Sequence, residues 1–66
     1  MAIQINLNQI QLAMLDRRTS VVARRLDISP AALRMKLRGE SEFRVRELNA
    51  LSVALEIPIT RFVSIQ

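Results

Sequence analysis

Thr19-Ser20-Val21-Val22-Ala23-Arg24-Arg25-Leu26-Asp27-Ile28-Ser29-Pro30-Ala31-Ala32-Leu33-Arg34-Met35-Lys36-Leu37-Arg38 is the stretch on which the reading of this chain turns. Val22, Ala23 and Leu26 recur at helical spacing with Arg24 and Arg25 outside them. Thr19 or Ser20 offers an N-cap, so a short helix is predicted to end near Asp27. Ser29-Pro30 then reads as a fresh N-cap followed by proline at the first helical position, where its missing N–H goes unused. Only Asp27 and Ile28 remain as a turn. The second helix stops at Gly39, a natural left-handed residue after a helix end.

On a 3.6-residue wheel this second helix puts Leu33 and Leu37 on one side and Ala31, Arg34, Met35 and Arg38 together on another. Two guanidiniums, a methyl and a thioether along one helix face suit the major groove of DNA. Arginine takes the O6 and N7 acceptors of guanine bidentately, and methyl or thioether groups touch the thymine methyl. The plain alternative is a solvated amphipathic face. Charge clustering favours the first reading: Arg17, Arg18, Arg24, Arg25, Arg34, Lys36 and Arg38 fall in one stretch whose only acid is Asp27. Elsewhere Arg44, Arg46 and Arg61 stand against Asp16, Glu40, Glu42, Glu47 and Glu56, so charge is segregated along the chain.

Working outward, Asn6 followed by Gln9 looks like an N-cap with a capping-box partner. Leu7, Ile10 and Met14 then predict a helix from Leu7 to about Arg17. After Gly39 comes a polar link and Phe43, then a helix from about Val45 to Leu55 carrying Leu48, Leu51 and Leu55 on one side. Ile57-Pro58 breaks it, and a last short helix is expected from Ile59 to about Val63. The chain thus reads as all-α, a compact five-helix domain. Ile3-Gln4-Ile5 and Phe62-Val63-Ser64-Ile65 alternate apolar and polar, which leaves a strand at either end as an alternative, one that would also serve across a dimer interface.

Length and composition bound the function. Sixty-six residues make one domain, 1–66, and with no cysteine to staple so small a core, oligomerisation is expected. The absence of both Cys and His excludes zinc sites built on them, thiol nucleophiles and His-dependent triads. Six scattered carboxylates show no acid/base pair, so no enzyme, metal, cofactor or small-molecule substrate is expected. A pI near 11.5, with nine of the ten basic residues arginine, points to an anionic partner. The longest apolar run, Leu12-Ala13-Met14-Leu15, is too short for a membrane span, and the start lacks the pattern of a signal peptide. A cytoplasmic protein, at the nucleoid through DNA, is the expectation.

From Leu7 to Val63 these residues resemble the Cro and phage-repressor (XRE-like) helix-turn-helix DNA-binding proteins. That family places a small residue at the fifth position of a twenty-residue motif and apolar residues at the fourth, eighth, tenth and fifteenth. Counting from Thr19, this chain has Val22, Ala23, Leu26, Ile28 and Leu33 there. Met35-Lys36-Leu37-Arg38-Gly39, then Glu42-Phe43 and Glu47-Leu48, is similar to a phage-regulator subgroup. Asp27 departs from the family's usual turn glycine, Thr19-Ser20 from its usual glutamine or polar pair, and Arg44 from an ordinary capping residue.

The resemblance implies a lambda-repressor-like domain with its helix-turn-helix at about residues 19–38, acting as a repressor of phage or prophage type on a palindromic operator. Ser29, Pro30, Ala31, Arg34, Met35 and Arg38 would face the major groove, with Arg34 and then Arg38 reading bases. Thr19, Ser20, Lys36 and Arg44 would lie near phosphates. Arg17, Arg18, Arg24 and Arg25 would act electrostatically or simply be solvated, and Arg46 and Arg61 are surface. A two-fold homodimer is implied, with half-sites about 34 Å apart. Its interface falls at the end of the fourth helix and the C-terminal segment: Val53, Ile57, Ile59, Phe62, Val63 and Ile65, the alternatives being that these residues close the core and that Ile3–Ile5 forms the interface. A mean hydropathy of +0.18 in so charged a chain agrees with apolar residues to spare. The competing readings are an antitoxin or antirepressor that uses the same fold to hold a protein, and an RNA or single-strand binder. The second lacks stacking aromatics, since Phe43 and Phe62 are better used as core anchors.

Overall fold

Alternating, β-branched sequence at both ends and helical periodicity between them give the element order of the computed structural model, which describes residues 3–65, the side chain of residue 65 excepted. Strand β1 (Ile3–Ile5) precedes helices α1 (Leu7–Ala13), α2 (Thr19–Leu26), α3 (Pro30–Leu37) and α4 (Val45–Leu55). A 3-10 turn (Ile59–Arg61) and strand β2 (Val63–Ile65) follow. Among the described residues the protein is small and mostly helical, with four α-helices and a two-stranded antiparallel sheet, which corrects the five-helix, all-α expectation. β1 and β2 pair within the chain, Ile3 with Ile65, Gln4 with Ser64 and Ile5 with Val63.

The missing fifth helix has a local cause. Pro58 occupies its N-cap and supplies no capping side chain, so one 3-10 turn forms through Arg61 N–H to Pro58 O and Phe62 N–H to Ile59 O, both 2.9 Å. Val63 and Ile65 are β-branched and favour extended backbone beyond it. The Asn6 amide donates to Phe62 O at 2.7 Å, tying the entry of α1 to this turn.

Two other helix boundaries differ from the sequence reading. α1 stops at Ala13 rather than near Arg17: the Met14 amide is shared between the carbonyls of Ile10 and Gln11, and Asp16 would have opposed the helix dipole in a longer last turn. Asn6 holds the predicted N-cap, but its side chain makes no capping bond. α2 has Arg18 at its N-cap, with Thr19 already helical, and Arg18 likewise provides no side-chain cap.

The core joins all the helices: Ile10 and Met14 from α1, Val22, Ala23 and Leu26 from α2, Leu33 from α3, Phe43, then Leu48, Leu51 and Leu55 from α4, and Phe62. Phe62 is fully buried, so its assignment to a dimer interface is corrected: it closes the core. Ala23 is also fully enclosed, and its methyl lets α2 pack closely against its neighbours. Among the described residues no helix is long and apolar enough to cross a membrane.

Candidate nucleic-acid interface

The α2–α3 corner is built by a left-handed residue and a cap. Asp27 adopts φ 61°, ψ 40°, which allows Ile28 N–H to reach Ala23 O at 3.0 Å and Asp27 N–H to reach Arg24 O at 3.1 Å. Ile28 folds against the core. Ser29 Oγ then accepts from Ala32 N–H at 3.0 Å, and Pro30 opens α3. The Ser29 hydroxyl is thus committed to starting α3, although the residue is exposed at its N-terminal end.

α3 presents two chemically different faces. Inward lie Leu33, Lys36 and half-buried Leu37. Outward lie Ala31, Arg34, Met35 and Arg38, all exposed, continuous with exposed Ser29 and Pro30. The side chain of Arg34 makes no hydrogen bond or ion pair among the described residues. Arg38 differs, because its Nε donates to Glu40 Oε2 at the surface. That hydrogen bond, and then the guanidinium charge, hold the Glu40 carboxyl below its ordinary range and raise Arg38 above its own.

Lys36 is the correction in this set. It is 8 % exposed, with Nζ donating to Glu42 O at 2.8 Å and standing 3.2 Å from Glu47 Oε1. The same Glu47 oxygen accepts from Arg44 N–H at 2.8 Å, within the first turn of α4. With two of its three N–H donors engaged and the ammonium buried, Lys36 faces the protein rather than a phosphate. It clamps the C-terminal turn of α3 to the N-terminus of α4, and thereby sets Arg44 beside the end of α3 with its side chain exposed and without an ion pair among the described residues. The signal for this role was present in the sequence: Lys36 follows Leu33 by one helical turn on the inward stripe, and Glu47 is a first-turn acid.

The end of α3 is fixed by backbone too. Gly39 at φ 80° lets its own N–H reach Lys36 O at 3.1 Å and Glu40 N–H reach Met35 O at 3.0 Å. Gln11 of α1 donates to Leu37 O at 2.7 Å. Ser20 and Arg24, one turn apart on α2, share a shallow hollow with Ser29 and Pro30 of the corner. Thr19 is half-buried at the head of α2, next to exposed Ser20. The structure therefore gathers Ser20, Ser29 and Pro30 at one end of α3 and adds Arg24 to them. Arg44 lies at the other end.

The six residues assigned to a dimer interface do not form one surface. Val53 is exposed on α4 beside Arg25, Ala50 and Ala54, whereas Ile57 lines another hollow with Gln9, Leu12, Ala13 and Arg61. Glu56 separates them: at φ 56°, ψ 42° it ends α4 and turns Ile57 inward. Ile59 and Val63 are half-buried against the core, and the side chain of Ile65 lies outside the described residues. Exposed Leu12, and Leu15 at 80 % exposure, were missed, although both fall off the Leu7, Ile10, Met14 stripe.

Among the described residues no group of three or more metal-ligating side chains converges. Set against models of known protein families, curated proteins and solved structures, the chain matches none.

Proposed function

We propose that this chain is a sequence-specific double-stranded DNA-binding transcriptional regulator of the Cro and phage-repressor kind, a repressor that occupies a palindromic operator as a homodimer. α2 and α3 act as its helix-turn-helix in a lambda-repressor-like domain, with α3 in the major groove. The observation that carries this reading is the outward face of α3, where an unpaired Arg34 stands among Ala31, Met35 and Arg38 with nothing packed over it. Among the described residues Arg34 has no partner and Arg38 only the exposed Glu40, and planar guanidiniums at helical spacing fit guanine edges.

Exposed Ser20, Arg24 and Arg44 at the two ends of that face suit the flanking phosphates, where contacts set register rather than sequence. Two copies meet through Leu12 and Ile57, apolar groups that share a hollow at the end of α1 and the α4 corner. The test is selection of duplexes from a random pool, followed by affinity as a function of salt. The reading requires an enriched palindrome with half-sites about one helical turn apart and log K falling steeply with log salt. Weak binding without enrichment would make the basic face generic and turn the search to a protein partner.

A further inference from the structure

The furrow between α2 and α4 has the makings of a protein-binding site, distinct from the outward face of α3. Its floor is apolar: Val21 and Val53 are 50 % and 68 % exposed, and Ala50 and Ala54, one turn apart, lie beside Val53. Two abutting hollows of about 230 and 380 Å³ share Arg25 and Ala54, so the furrow is continuous along the two helices. Arg17, Arg18 and Arg25 rim it, against the single acid Asp16, whose carboxylate is 3.9 Å from Arg17 Nε and mostly solvated. Arg18 and Arg25 make no ion pair among the described residues.

We infer that this furrow docks an acidic amphipathic helix of a partner protein. A trough between two helices accepts a third by ridge-in-groove packing, with apolar anchors at i, i+3, i+4 and i+7 meeting Val21 and Val53. Glutamates or aspartates flanking that stripe meet the arginine rim, and the guanidinium fork holds a carboxylate bidentately. A second copy of this chain fits poorly, because two-fold pairing sets Arg17, Arg18 and Arg25 against arginines of the same surface. A DNA backbone fits the rim and leaves the floor unused, since two valines and two alanines offer phosphates nothing. Along α2, Val21 and Arg25 also face a different way from Ser20 and Arg24, which border the α3 corner.

The experiment uses the whole chain and a fluorescein-labelled synthetic helix of about 18 residues with a leucine stripe flanked by glutamates, long enough to run the furrow. A scrambled peptide of the same composition is the comparison. The amphipathic peptide binds at least about tenfold tighter than the scramble, and Val53→Asp or Arg25→Glu removes about that factor while Arg34→Ala leaves it intact. Both substituted side chains are solvent-exposed, and unchanged thermal melting confirms that each variant folds. Equal binding of the scramble, or indifference to Val53→Asp, overturns the proposal. Loss of self-association in Val53→Asp by sedimentation assigns the furrow to a second copy and overturns it. Loss of duplex affinity in Arg25→Glu with peptide binding intact assigns the rim to nucleic acid and overturns it. Failure of the operator selection leaves this test unaffected, because the furrow and the α3 face are probed by separate substitutions.

Discussion

Leu26-Asp27-Ile28-Ser29-Pro30 and Leu55-Glu56-Ile57-Pro58 turn the chain in the same way and then launch different structures. In each, an acid takes the left-handed conformation, at φ 61° for Asp27 and 56° for Glu56. An isoleucine amide then reaches back five residues, Ile28 to Ala23 O at 3.0 Å and Ile57 to Ser52 O at 3.1 Å, while the isoleucine side chain packs on the core. The difference is one residue. Ser29 stands before Pro30 and caps an eight-residue helix, whereas Pro58 is itself the N-cap and opens a single 3-10 turn that returns the chain to the sheet. A proline starts a helix when the residue before it can accept the orphan amides and stops one when it must do that work itself.

The product of the first corner is also anchored at its far end, and breaking that anchor gives the largest expected effect. Lys36→Ala leaves the Glu47 carboxylate buried without its counter-charge and is expected to lower stability by about 3–5 kcal/mol, enough to unfold so small a domain. Urea denaturation measures it. Unchanged stability with weaker DNA binding would instead restore Lys36 to the phosphate role that the family resemblance gave it. Next comes the contrast between the arginines that follow the two corners. Arg34→Ala is expected to lose about 1–3 kcal/mol of operator affinity and relax one base pair per half-site, while Arg61→Ala in the 3-10 turn changes neither. Equal effects on titration would show nonspecific attraction rather than readout.

How far these differences were legible depends on whether their cause is local. Ser29-Pro30 announces α3 because a cap and its proline are adjacent, and the exposed quartet of Ala31, Arg34, Met35 and Arg38 follows from helical period alone. Asp27 was readable as a turn residue standing at a place the resembling family gives to glycine; Glu56 was passed over because Ile57-Pro58 alone suffices to end α4. The two strands were visible only as alternation. What made them strands is a partner some sixty residues away, Ile3 opposite Ile65, which no local pattern encodes. For Lys36 the place on the inward stripe was legible, one turn after Leu33, but the partners that bury it, Glu42 and Glu47, arrive from beyond Gly39.

Smaller effects sharpen the comparison of the corners themselves. Ser29→Ala removes the one feature that the second corner lacks and is expected to lower stability by about 1 kcal/mol, with amide exchange rising first in Ala31 and Ala32. Asp27→Gly and Glu56→Gly should each raise stability by roughly 0.5–1 kcal/mol, because glycine carries no left-handed penalty but gives up more chain entropy. Matching gains in urea midpoints would establish that the two corners are energetically alike. A gain at Glu56 alone would mean that the Asp27 side chain contributes to its turn.

The smallest effect concerns the far end of α3, where on the proposed reading Arg38 exchanges Glu40 for a base. In the free chain the Glu40 carboxylate accepts the Arg38 Nε–H, and its folded acidity is increased by that bond. The stabilisation this exposed pair provides is present above the ordinary carboxylate range and is lost as pH falls through the lowered folded value, so near neutral pH it is fully engaged. The proposed operator complex requires Arg38 to be released and brings the Glu40 charge close to the phosphates. Glu40→Gln removes both obstacles and is expected to tighten binding by about twofold to threefold at low salt, with the gain shrinking as salt rises. Fluorescence anisotropy on the selected duplex measures it. Weaker binding would mean that Glu40 orients Arg38 toward its base instead of restraining it, and the pair would then act as one unit of the recognition face.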